Sequence, residues 1–172
     1  MCVSGCSYLY WSNWMSHARV ERSALDGADR NTYLDNVGRV SGLVIDFDSS
    51  RLYWANLDHR NIESVDLATG GDRHVIISGL VRPYGLTQFR DFIYWTDQAT
   101  RTIERAHKAT GQNRTRIQYT SADVLDISVI HNSRQIGTLC RCVMLLNTNP
   151  WCKLAWYLSC AQKWYETHCH KC

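Results

Sequence analysis

Three groups of residues have types and spacing that could do chemistry. Trp14, Arg39, Asp58, Arg82, Tyr84 and Gln98 mix aromatic, basic and polar side chains in short segments between apolar runs. Aromatic and Arg side chains on rigid loop stems are good anchors for a protein partner, with polar neighbours as a rim. A second group crowds the C-terminus: His168-Cys169-His170-Lys171-Cys172, with Cys160. No second spaced pair stands opposite it, so the spacing of a structural zinc site is not met; disulfides or an unfolded tail are expected, and no metal. The third is Asn113-Arg114-Thr115, an N-glycosylation sequon. No cofactor is expected.

Composition narrows the classes. The chain has 172 residues with a net charge of +3, and its acidic and basic residues are mixed. No basic block stands out, so nucleic acid is not an expected partner. Seven Trp and nine Tyr suit a sheet-rich protein. Of eight Cys, Cys2 and Cys6 lie at the start and the other six lie between Cys140 and Cys172. A long cysteine-free domain followed by a small disulfide module is a habit of secreted chains. Neither a signal peptide nor a spanning helix is read from the sequence, as expected of a chain cut from a longer one.

The elements that must position these residues follow from internal repetition. Tyr10-Trp11-Ser12-Asn13 recurs as Tyr53-Trp54-Ala55-Asn56 and as Tyr94-Trp95-Thr96-Asp97, at offsets of 43 and 41 residues. Each is followed by a second motif: Val20-Glu21-Arg22-Ser23, Ile62-Glu63-Ser64-Val65, Ile103-Glu104-Arg105-Ala106. A turn comes next, and then Arg30, Arg73 or Arg114 opens another short run. Every segment is short, rich in β-branched and aromatic residues, and bounded by turn formers, so each reads as a strand. The unit has strands A (Gly42 to Asp46), B (Leu52 to Asn56), C (Asn61 to Asp66) and D (Arg73 to Ile77). The next copy has A from Gly85, B to Asp97, C from Thr102 and D from Arg114. Four antiparallel strands in roughly 40–45 residues is the size of a propeller blade. The expected fold is all-β: two complete blades, a first copy lacking strand A, and a last copy with only strand A, Val124 to Val129. Domain boundaries are placed at 7–135 for the partial propeller and 136–172 for a Cys-rich tail. In such a blade Trp54 and Trp95 are packing residues, and Asn13, Asn56 and Asp97 hydrogen-bond between blades.

These motifs, with Leu25-Asp26-Gly27 and Pro83-Tyr84-Gly85-Leu86-Thr87, resemble the low-density-lipoprotein-receptor class B (YWTD) repeat over residues 7 to 135. Val37-Gly38-Arg39, Thr110 to Thr115 and His131 to Gln135 are most similar to the Wnt co-receptors among the lipoprotein-receptor-related proteins, and to the third of their propellers. The resemblance implies a six-bladed ring, each ring followed by an EGF-like module, on the extracellular side of the plasma membrane. It implies binding of Wnt ligands or of Dickkopf- or sclerostin-type antagonists, with Frizzled in the parent receptor complex. The tail departs from an EGF-like module, because Cys140-Arg141-Cys142 comes first in its order, and no family function is carried onto it.

Alternate strand ends lie on one side of an up-and-down blade, so the connections from D to A and from B to C share a face. The resemblance implies ligand binding there, at Trp14, Arg39, Asp58, Arg82, Tyr84, Gln98, Asp123 and Leu125. Three of these depart from the family pattern: Gln98 stands for Trp, Asp123 for Tyr and Leu125 for Met. Asn113 falls in a C–D connection, on the opposite face. An enzyme of the lactonase-like kind would need polar strand residues converging on a metal; the strand-A segments Gly42 to Asp46 and Gly85 to Gln88 show no such ring. The expectation is a non-enzymatic receptor segment. The alternatives are an adhesion or lipoprotein-receptor propeller for another extracellular protein, as in laminin binding, or a nonfunctional truncated fragment.

Overall fold

Short apolar runs with turn residues at both ends fold as expected into strands. The computed structural model describes residues 8–14, 17–120, 122 and 124–131. In chain order the strands are β1 (Tyr8–Asn13), β2 (Arg19–Ala24), β3 (Asn31–Leu34), β4 (Val40–Asp46), β5 (Arg51–Asn56), β6 (Asn61–Asp66), β7 (His74–Ile77), β8 (Pro83–Phe89), β9 (Phe92–Asp97), β10 (Thr102–His107) and β11 (Thr115–Tyr119). They form three antiparallel sheets in strict chain order: β1-β2-β3, β4-β5-β6-β7 and β8-β9-β10-β11. All belong to one compact unit, Gly5–Val129. Among the described residues no helix is long and apolar enough to cross a membrane. The Cys-rich tail from residue 136 lies outside the described residues, as do all eight cysteines.

The blade is thus the one the repeats predict, and β6 coincides with the expected strand C. The start of β8 at Pro83 is two residues earlier than expected. Val124 to Val129, expected as a further strand A, is not a strand. A strand is defined by its ladder, and no described residue pairs with this segment. It nevertheless runs beside β8 as β8 runs beside β4. A Cβ on Gly42 would sit 2.5 Å from the Tyr84 carbonyl oxygen, and one on Gly85 would sit 2.8 Å from Asp126 Cα. Only glycine permits backbones this close.

Period-2 alternation buries both faces of the middle sheet. Leu52, Trp54 and Val65, with Val40 of the same sheet, pack with Val20 and Leu34 of the first copy and with Val37 of the connection between the two. Tyr53, Ala55, Ile62 and Ile77 pack with Leu86, Ile93, Trp95 and Ala106 of the third. Each buried side chain of this size stabilises by about 1.5–3 kcal/mol. A seam also forms on the outer strands. Tyr33 of β3 donates its hydroxyl to the carbonyls of Leu67 (2.8 Å) and Asp66 (3.1 Å) in the next blade. Gly111, at φ +67°, would place a Cβ 2.0 Å from the Ile76 carbonyl oxygen of the preceding blade.

One polar device recurs in every copy. Trp11, Trp54 and Trp95 lie directly opposite Glu21, Glu63 and Glu104 across the B–C ladder. Beside each Glu the C–D ladder shifts register, an extra residue standing on strand D. Arg30, Arg73 and Arg114 then reach the buried Glu at 2.6, 2.6 and 2.7 Å. Their guanidinium carbons sit 5.3, 5.3 and 5.6 Å from the Trp ring centroids. Arg is thus held by charge on one side and by an aromatic face on the other.

Candidate protein-binding face

Strand register decides which connections share an end. In the middle sheet Val40 pairs with Asn56, Asn56 with Asn61, and Ile62 with Ile77. In the third sheet Pro83 pairs with Asp97, and Thr102 with both Asp97 and Tyr119. In the first, Asn13 pairs with Arg19 and Val20 with Leu34. The segments holding Trp14, Arg39, Asp58, Arg82, Tyr84 and Gln98 therefore all adjoin this one end of their sheets. Asn113, in the β10–β11 turn, adjoins the other end, at φ +56° and exposed. Asp123 lies outside the described residues.

The last residues of the second and third YWTD-like motifs build this end. The Asp97 carboxylate accepts from the backbone N–H groups of Val81 (2.9 Å) and Arg82 (3.1 Å) in the β7–β8 connection. Its other oxygen accepts from Ala99 (3.1 Å) and Thr100 (3.2 Å) in the β9–β10 turn. Asn56 makes the same bridge with one reversal: its Nδ2 donates to the Val37 carbonyl at 2.7 Å, while its Oδ1 accepts from Asp58 and His59 N–H at 3.0 Å each. One residue thus fixes the connection that enters a blade to that blade's own B–C turn, where the sequence reading expected hydrogen bonds between blades. The backbones are also joined directly, Leu57 N–H to Arg39 C=O at 2.9 Å and Gln98 N–H to Arg82 C=O at 3.0 Å.

The candidate side chains stand on this frame. Arg39 grips Asp58 twice, through its backbone N–H (2.9 Å) and its Nε (2.7 Å). These two donors hold the Asp58 carboxyl below its ordinary range. Trp14 is 44% exposed, and its indole N–H donates to the Val40 carbonyl at 2.6 Å. It crosses from the first blade to the second while keeping an open ring face. Arg82 is exposed, Tyr84 and Gln98 are half-buried, and Leu125 is 60% exposed. Preorganised aromatic and guanidinium groups on hydrogen-bonded turns can anchor a protein segment at small entropic cost. Among the described residues no group of three or more His, Cys, Asp or Glu could hold a metal ion.

Sequence reasoning missed the joining of three markers it had noted singly. The Trp, the Glu and the strand-opening Arg are one ion-pair and stacking unit, and their constant spacing was the available signal. It also missed Lys108, whose ammonium reaches Asp46 of the neighbouring blade at 2.6 Å. No spacing rule announces that contact, because it crosses a seam.

Comparison with models of known protein families finds no match. Among curated proteins the chain is 47% identical over 124 residues to low-density lipoprotein receptor-related protein 5 of Homo sapiens, covering 72% of this chain and 8% of that protein. It is 39% identical over 97 residues to low-density lipoprotein receptor-related protein 4 of Homo sapiens, covering 56% of this chain and 5% of that protein. The chain therefore spans less than a tenth of the length of these receptors. A solved structure titled as the nidogen/laminin complex contains a chain with a TM-score of 0.60 and 27% identity, over 69% of this chain and 46% of that one.

Proposed function

Since the chain carries YWTD β-propeller repeats of the low-density lipoprotein receptor-related type, and is no enzyme, we propose that it is an extracellular ligand-binding segment of such a receptor. The ligand is a Wnt protein or a secreted antagonist of the Dickkopf or sclerostin type. It docks at the end that carries Trp14, Arg39, Asp58, Arg82, Tyr84, Gln98 and Leu125, with Asp123 as a further contact. The observation that carries this reading is the bridging by Asn56 and Asp97, which aligns successive D–A and B–C connections on one rim. Family resemblance supplies the ligand class.

Immobilising the chain and passing Wnt, Dickkopf, sclerostin and laminin over it tests the reading. Binding of one of the first three is expected, with loss of about tenfold or more in Tyr84→Ala, since rigid aromatic anchors carry disproportionate energy. Binding of none of them, or binding indifferent to Tyr84→Ala, contradicts it. Laminin is the second reading, favoured by the likeness to a chain of the nidogen/laminin complex; its capture in place of the others would select an adhesion role. Asn113 carries a glycan in this proposal, at the end away from the ligand. Mass spectrometry of chain secreted from mammalian cells is expected to find Asn113 occupied, and an unmodified residue rejects that part.

A further inference from the structure

Charge is divided unequally between the two ends of the blades. Among the described residues, the connections at the proposed binding end carry Arg39, Arg60, Arg82 and Arg101 against Asp35 and Asp58. Asp58 is taken up by Arg39. Asp97 is buried, with both oxygens given to backbone N–H groups. Arg60 and Arg82 are exposed, and neither guanidinium has a partner among the described residues. Their segments are joined, since Leu80 N–H donates to the Arg60 carbonyl at 3.0 Å and Arg82 lies two residues further on. The opposite end carries more acids in its connections. Its connections hold Asp26, Asp29, Asp48, Asp72 and Asp91. Its cations Arg30, Arg73, Lys108 and Arg114 are taken up by Glu21, Glu63, Asp46 and Glu104, and Arg90 lies over the Phe89 ring.

From this polarity we infer that the partner received here presents an acidic segment, with Asp or Glu beside an aliphatic or aromatic side chain. The inference rests on the reading of this end as the binding face and adds the chemistry of what it selects. A carboxylate matches the planar donors of Arg60 and Arg82. The apolar neighbour has Val81, 50% exposed, and Leu125, 60% exposed, at the same end. A sulfated glycan would use the cations alone and leave that apolar surface wet, so the protein segment fits better. Charge of one sign on the rim also steers an oppositely charged partner to this end.

Two synthetic peptides of equal length test the inference, one alternating Glu with Leu and the other with Gln in place of every Glu. Each is titrated into the full chain by fluorescence anisotropy, with a heparin oligosaccharide as a third probe. The Glu peptide is expected to bind about tenfold or more tightly than the Gln peptide, an advantage that shrinks as salt is raised. R60Q/R82Q should bring its affinity down to that of the Gln peptide, and R90Q, at the opposite end, should leave it unchanged. If the double variant melts lower than the parent, R60Q and R82Q singly should each give part of the loss. Equal binding of both peptides, or Glu-peptide binding untouched by R60Q/R82Q, overturns acidic selection. If that equal binding is still lost in Tyr84→Ala, the face itself stands. Binding of heparin with neither peptide overturns the inference in favour of a glycan, and binding of no probe also overturns it. Loss in R90Q but not in Tyr84→Ala would move the site to the other end and sink the underlying reading.

Discussion

At the scale of single residues, the buried glutamates carry the polar half of the fold. Glu63 is 2% exposed and accepts from Arg73 at 2.6 Å and from Asn56 at 3.0 Å. Burial pushes its carboxyl up, but the donors from Arg73 and Asn56 outweigh it and hold the group below its ordinary value. Glu63→Ala strands the Arg73 guanidinium and an Asn56 donor, and is expected to cost about 3 kcal/mol, the usual size for breaking a buried pair. A lowered urea midpoint with unchanged slope checks this. In the first copy Arg19 and Arg30 lower the Glu21 carboxyl from 4.5 to about 2. A depressed carboxyl stabilises fully above its unfolded value, and that stability is lost as pH falls through the folded value. The thermal midpoint is therefore expected to hold down to about pH 4.5 and to fall between there and about pH 2. Glu21→Gln should flatten that fall, and an unchanged profile would remove Glu21 from the account.

At the scale of elements, the same strand position meets different surroundings in successive copies. Tyr33, Ile76 and Ile117 each stand where the C–D ladder shifts register. Tyr33 and Ile76 pack into the seams with the following blade. Ile117 is 48% exposed. Ile76→Ala is therefore expected to cost about 2 kcal/mol, and Ile117→Ala about 0.5 kcal/mol or less, in parallel denaturant titrations. Equal costs would mean that blade stacking does not stabilise the middle sheet. Here the limits of sequence reading are physical. Strands and blade order were legible because apolar alternation and turn residues repeat at a fixed period. The Val124 to Val129 segment was misread as a strand because its apolar pattern is that of strand A, while a ladder needs a partner that no pattern within the segment can reveal. Contacts across seams, such as Lys108 with Asp46 and Tyr33 with Leu67, depend on neither period nor propensity and were not legible. Most of the candidate face was placed through strand order; the use of Asp58 as the partner of Arg39 became visible only in three dimensions.

At the scale of the whole molecule, two seams built from equivalent residues align three sheets so that their B–C turns and D–A connections form one rim. That rim is tied by hydrogen bonds where Asn56 and Asp97 bridge it, and it carries exposed Trp14, Arg82 and Leu125. The opposite end carries the sequon and the cations paired with Glu21, Glu63, Asp46 and Glu104. Under the proposed function, a partner should be felt only at the first of these ends. Hydrogen–deuterium exchange with and without the bound ligand tests this most directly. The account predicts slowed exchange at residues 57–60, 80–84 and 98–101, and no change at 26–30, 68–73 and 108–113. Slowing confined to the second set of turns would contradict it.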